Sequence, residues 1–246
     1  MSRVVSALLA SFVLLAPLRA HAFGESGLFS FALLRHEGLQ PSRAAGYQRI
    51  AWEVAKRTSI DVSVQATVLD ATDPELFRHP FLVLTGDDAF APFGEAQREA
   101  LRRHLTFGGL LLIDDASGEP GGAFDRAARR EVAALFPAAK VAPIGKEHVL
   151  WKSFYLLDGP IGRVQATTEA QGLVLAGRLA VVFSPNDLAG AVARDSFGNW
   201  ASEVGPGGDA QRERAIRFGI NLAMYALCLD YKDDQVHVPF IMKRRR

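Results

Sequence analysis

A single cysteine, Cys228, stands in the whole chain, so no intramolecular disulfide can form and the fold must rest on its core. Cys228 lies in "INLAMYALCL", where apolar residues recur at helical spacing, and it reads as a small buried hydrophobe rather than a nucleophile. The chain also lacks paired cysteines, an H-E-x-x-H pattern and a spaced acidic loop of the EF-hand type, which removes the usual zinc and calcium motifs. Neither G-x-S-x-G nor G-x-C-x-G occurs, so nothing supports the strained turn that exposes a nucleophile in α/β hydrolases. The glycine pair in "FGGLLL" leads into a strand, whereas a phosphate-binding loop would lie between strand and helix. Excess charge of one sign is missing too: 28 basic residues face 27 acidic ones. Four of the basic residues are the terminal "KRRR", so the body is acidic on balance and nucleic acid is excluded as a partner on electrostatic grounds.

What is present begins with a leader. Arg3 precedes an uncharged apolar stretch from Val4 to Ala16, and Ala20 and Ala22 in "RAHAF" form the A-x-A pattern of a secretory cleavage site. At about 13 residues the stretch falls short of the roughly 20 that a helix needs to cross a bilayer. Residues 1–22 therefore read as a signal peptide, 23–230 as one α/β domain and 231–246 as a charged tail, in an exported, periplasmic protein of the bacterial envelope. The tail, "YKDDQVHVPFIMKRRR", offers an alternating apolar segment to a partner, and membrane contact is expected at most through its four cations on anionic lipid.

The chain as a whole is 49% hydrophobic, and between leader and tail it alternates strands with helices. "LFSFALL" (28–34) is a strand and "SRAAGYQRIAWEVAKRTS" (42–59) a helix with Ser42 as its expected cap. "VSVQATVL" (62–69) is a strand, "DPELF" (73–77) one helical turn capped by Asp73, and "FLVLT" (81–85) a buried strand. Helix 95–107, strand 110–114 and helix 123–136 follow, with Pro137 as the stop. Loops and short strands fill 138–172, "GLVLAGRLAVVFS" (172–184) is a hairpin turning at Ala176-Gly177-Arg178, and Asp209 is the expected cap of a last helix to Cys228. The expected fold is a three-layer, mostly parallel, flavodoxin-like sheet with helices on both faces and an antiparallel hairpin member.

Two strands end in paired aspartates, "FLVLTGDDAF" and "GGLLLIDDAS", and a third ends in "SPND". Because ligands of open α/β sheets bind beyond the carboxyl ends of the strands, Arg35, His36, Glu37, Asp87, Asp88, Asp114, Asp115, Asn186 and Asp187 are expected in one ligand-binding crevice. If the order is flavodoxin-like, the first strand and the one ending at Thr85 flank the reversal of strand order. The competing reading is that these residues form Asx turns. Converging carboxylates repel unless compensated, either by a hard cation such as Ca²⁺ or Mg²⁺ or by Arg35 as a salt bridge. Ser184 with His148 and one aspartate is a rival catalytic triad, and Trp151, Phe154 and Tyr155 either wall a pocket or pin their loop to the core.

"FSFALLRHEG", "DPELFRHPFLVLTGDDAF", "LRRHLTFGGLLLIDDASG", "EHVLWKSFY" and "LAVVFSPNDLAG" together resemble the bacterial domain of unknown function 4159 family, from about Leu28 to Leu229. The resemblance implies a fold related to class I glutamine amidotransferases and a place among exported or membrane proteins, but no activity and no catalytic residues. Amidotransferases of that fold carry a cysteine in the turn after a strand. This chain has aspartates there, so glutamine hydrolysis by that route is excluded. Two functions fit the sequence: a non-catalytic exported module that binds a small ligand or an envelope protein partner, and a metal-dependent or serine hydrolase acting on an envelope substrate. The missing nucleophile motif favours the first, and the carboxylates keep the second open.

Overall fold

A computed structural model describes residues 28–228, so the leader, the tail and the expected cleavage site lie outside the described residues. Seven strands form one sheet in the order β2-β1-β3-β4-β7-β6-β5. They are β1 (Ala32–Leu34), β2 (Thr67–Leu69), β3 (Phe81–Gly86), β4 (Leu110–Asp115), β5 (Val141–Pro143), β6 (Gln171–Leu175) and β7 (Arg178–Ser184). The first five strands in that order are parallel, while β6 pairs antiparallel with both β7 and β5. The β2-β1-β3-β4 half is the flavodoxin-like order, with its reversal between β1 and β3.

Two helical layers cover the sheet because its parallel strands bury both faces. Helices α1 (Pro41–Arg57), α4 (Leu188–Val192) and α5 (Gly208–Leu227) pack with Phe31, Leu33, Val83, Leu112 and Val182. Helices α2 (Glu95–Thr106) and α3 (Ala123–Leu135) pack with Leu34, Leu84, Leu111, Ile113 and Phe183 on the other side. Period-two alternation along β4 thus sends Leu112 to one layer and Leu111 and Ile113 to the other.

The hairpin turns where expected: Ala176 and Gly177 both have positive φ, 48° and 83°, as a two-residue turn matched to strand twist requires. Asp73 caps a short 3₁₀ turn (Pro74–Arg78) by accepting the Glu75 amide at 2.9 Å. Two expected caps are corrected. Helix α1 starts one residue earlier than Ser42, with Gln40 at the cap position and Pro41 in the first turn, where its missing N–H costs nothing. Helix α5 has Gly207 at the cap, which leaves Asp209 inside the first turn beside Arg212. Cys228 is the C-cap of α5 and only half-buried. Trp151 is buried and stacks on Phe218 of α5 at 5.8 Å, so it pins its loop to the core, as does Asn221, which bonds the Leu150 and Tyr155 carbonyls. Among the described residues no helix is long and apolar enough to cross a membrane.

Candidate functional site

The crevice at the β1/β3 reversal is filled. The His36 ring stands 5.2 Å from Phe90 and 6.2 Å from Phe124, its Nε2–H donates to the Thr85 carbonyl at 2.7 Å, and its Nδ1 accepts the Gly38 amide at 3.1 Å. Burial holds its pKa below the ordinary histidine value, against the Thr85 bond and the charges of Asp87 and Glu37. Arg35 is exposed, and its charge helps hold the Asp70 carboxyl below its ordinary range, after the Thr72 bonds. Asp87 and Asp88 are also exposed: Asp87 accepts from Gln40 at 2.5 Å, and Asp88 accepts its neighbour's amide, Ala89 N–H, at 2.6 Å. That local bond is the turn chemistry weighed against a ligand role.

The second aspartate pair splits across the sheet, because neighbouring residues of a strand face opposite sides. Asp114 faces α1 and α4 and is fully buried. It accepts the Tyr47 hydroxyl at 2.8 Å and the Leu188 and Ala189 amides at 2.7 and 3.0 Å, so it holds the first turn of α4. Burial, and then the charge of Asp187, push its pKa up to about 6 despite those three donors. Burial and the adjacent Asp114 likewise hold the Tyr47 hydroxyl well above its ordinary range, so it stays a proton donor. Thr85 and Ser184 flank Asp114 in register on β3 and β7, and their buried hydroxyls have no hydrogen-bond partner among the described residues.

Asp187 is compensated by arginine, though not by Arg35. It accepts Arg43 at 2.6 Å and Arg163 on its other oxygen, and caps α4 through the Gly190 amide at 2.9 Å from a left-handed backbone, φ 56°. Asn186 is fully buried, donating to the Pro160 and Thr167 carbonyls at 2.9 and 2.8 Å and accepting the Thr167 amide at 3.0 Å. Asp114, Asn186 and Asp187 therefore come together as the sequence predicts, but as a scaffold around α4. Among the described residues no group of three or more histidine, cysteine or acidic side chains is placed to hold a metal ion.

Asp115 is different. It faces the α2/α3 side with Ile113, is 2% exposed, and lines a cavity of about 370 Å³ between the ends of β4 and β7 and the first turns of α3. Its Oδ1 accepts the Ser117 amide at 2.9 Å and the Ser117 hydroxyl at 2.6 Å, whereas its buried Oδ2 has no hydrogen-bond partner among the described residues. Burial raises its pKa first, opposed by Ser117 and assisted by the charges of Asp125 and Asp187. Also on the cavity wall, Asp125 accepts the Gly121 amide at 3.0 Å and Arg129 at 2.8 Å, and Arg129 lies 4.6 Å over the Phe183 ring. Glu169 stands exposed at the rim.

The cavity sits at a second change in topology, where β6 reverses direction against β7 and brings Gln171 opposite Phe183. Asp125, Arg129 and Glu169 were not foreseeable as site residues, since nothing in the sequence places α3 or residue 169 beside β4. Ser184 lines the cavity as a strand-end residue, but alternation along β7 puts its side chain on the Asp114 face. His148 accepts the Leu150 amide at 3.1 Å and packs on Tyr225, whose hydroxyl accepts the Leu179 amide near the start of β7. The Ser184 hydroxyl has no hydrogen-bond partner among the described residues, so the rival Ser184–His148 triad is not assembled here.

A family model described as Domain of unknown function (DUF4159) matches residues 30–227. The chain belongs to this family. The match covers every strand and helix of the sheet and both clusters described above. No curated protein matches the chain.

Proposed function

We propose that this member of the family is an exported, non-catalytic binding module of the bacterial cell envelope that takes a small ligand, or a short partner segment, into the acidic cavity at the ends of β4 and β7. The observation that carries the reading is Asp115, a carboxylate that lines a cavity and whose buried Oδ2 has no hydrogen-bond partner among the described residues. A buried polar atom left unbonded costs folding free energy, and natural proteins keep such atoms chiefly where function uses them. Asp114, Asn186 and Asp187 support the site by fixing the strand ends and α4 rather than by touching ligand.

Asp115→Asn tests the reading. Asparagine keeps an acceptor for the Ser117 amide and hydroxyl and removes a charge whose burial disfavours it, so the ligand-free variant should melt at the parent temperature or above it. A clear drop in melting temperature would make Asp115 structural and remove the site. Export has its own test. N-terminal sequencing of the protein recovered from the envelope should read from Phe23, and recovery with residues 1–22 still attached would refute processing.

A further inference from the structure

The chemistry of the cavity wall selects the ligand. Three carboxylates line it, Asp115, Asp125 and Glu169, against the single guanidinium of Arg129. Arg129 is already committed to Asp125, with its Nε 2.8 and 3.0 Å from the two carboxylate oxygens, so Asp115 and Glu169 have no ion-pair partner among the described residues. An anion would meet both, and the Gly121 amide, just before α3, already donates to Asp125. A neutral hydroxyl supplies a donor to Asp115 Oδ2 but leaves its charge unbalanced. Of the organic cations, a guanidinium binds best when both oxygens of a carboxylate are open to its fork. Asp115 offers only one, because Oδ1 already accepts two bonds from Ser117. An ammonium group is a compact charge with independent donors and needs only one. Ile113, Phe183, Pro120 and Pro185 provide apolar wall for the carbon body behind it, and about 370 Å³ is far more room than the ammonium alone occupies.

We infer that the cavity binds a primary amine in its protonated form, with the ammonium paired to the Asp115 carboxylate and its carbon chain along the Ile113–Phe183 wall. The inference rests on the cavity being the binding site, as proposed above.

Four short-chain aliphatic probes with different head groups test it: n-butylamine, n-butylguanidine, n-butanol and butyrate, titrated calorimetrically into the full chain near pH 7. The amine should bind tightest and butyrate not at all. Asp115→Asn should weaken the amine about tenfold or more, the usual effect of losing one charge-assisted bond, and leave butanol unchanged. Glu169→Gln, at the exposed rim, should weaken it only about two- to threefold. Tighter binding of the guanidine, the alcohol or butyrate, lost in Asp115→Asn, would overturn the amine while leaving the cavity as the site. Amine binding that Asp115→Asn does not alter, or no amine binding at tens of millimolar, would also overturn it. The ligand-free melting comparison of Asp115→Asn decides the cavity itself independently of any probe.

Discussion

Asp187→Ala should destabilise the protein by about 4 kcal/mol, read as a shift of the urea-denaturation midpoint at constant slope. The side chain is fully buried between Arg43 and Arg163, whose own side chains are 13% and 28% exposed, so truncation strands two guanidiniums that water only partly reaches. Removing one partner of such a pair costs about 3–5 kcal/mol, and partial hydration of the arginines places this case toward the lower end. Two smaller losses add to it. The Gly190 amide loses its cap, worth about 1 kcal/mol, and alanine must adopt the left-handed backbone that aspartate tolerates better. Asp187→Asn retains the cap oxygen and the backbone preference, so its cost should be about half. Equal costs would assign the effect to charge alone, and an alanine cost below about 1 kcal/mol would show that the pair does not stabilise the fold.

Asp187 also shows what could be read from the sequence and what could not. The alternation of apolar strands with amphipathic helices was legible because each pattern is a local consequence of burial, and the hairpin at Ala176-Gly177 because two successive positive φ angles call for glycine beside a small residue. That β4 ends in two buried aspartates was legible as well. Their separation into different roles was available in principle: side chains alternate along a strand, so Asp114 and Asp115 cannot share a ligand from one face. The identity of their partners was not available. Tyr47 and Arg43 come from α1, Arg163 from an irregular segment, and Asp125 from α3, each brought in by the strand order rather than by any local pattern. The same is true of the cavity's position. The switch between β1 and β3 is the place where general rules put a ligand, and here His36, Phe90 and Phe124 occupy it. Gly46 and Gly162 belong to the tertiary part too. A Cβ at Gly46 would run into the backbone of Ala189, and one at Gly162 into that of Asn186, so both glycines permit the close approach that seats α4 at the strand ends.

The cost of Asp114→Asn should depend on pH, falling by about 2 to 3 kcal/mol between about pH 4 and pH 7.5. Asp114 carries a folded-state pKa of about 6 against an ordinary 3.8, so in the parent its contribution to stability is fully present below the ordinary value and is lost as pH rises through about 6. The gap between the two values corresponds to about 3 kcal/mol, and it is lost from the parent but not from a variant that does not titrate. Near pH 4 the substitution should be expensive, about 4 kcal/mol. The amide can accept only through its oxygen, and its NH₂ group meets donors from Tyr47, Leu188 or Ala189 that have no other partner in a fully buried site. Near neutral pH the parent pays for burying an ionised Asp114 close to Asp187, and the variant recovers most of the difference. The parent's own pH profile will not reveal this. His104, held at about 4 mainly by burial, supplies stability that is present above the ordinary 6.5 and lost as pH falls, the opposite trend over the same window. The difference between variant and parent, from paired urea denaturations at each pH, cancels His104 and isolates Asp114. A difference that does not change with pH would mean that the carboxyl titrates alike in the folded and unfolded chains. A cost that grows with pH would mean that the three donors, rather than burial, set its ionisation, and α4 would then be held by a stable carboxylate at every physiological pH.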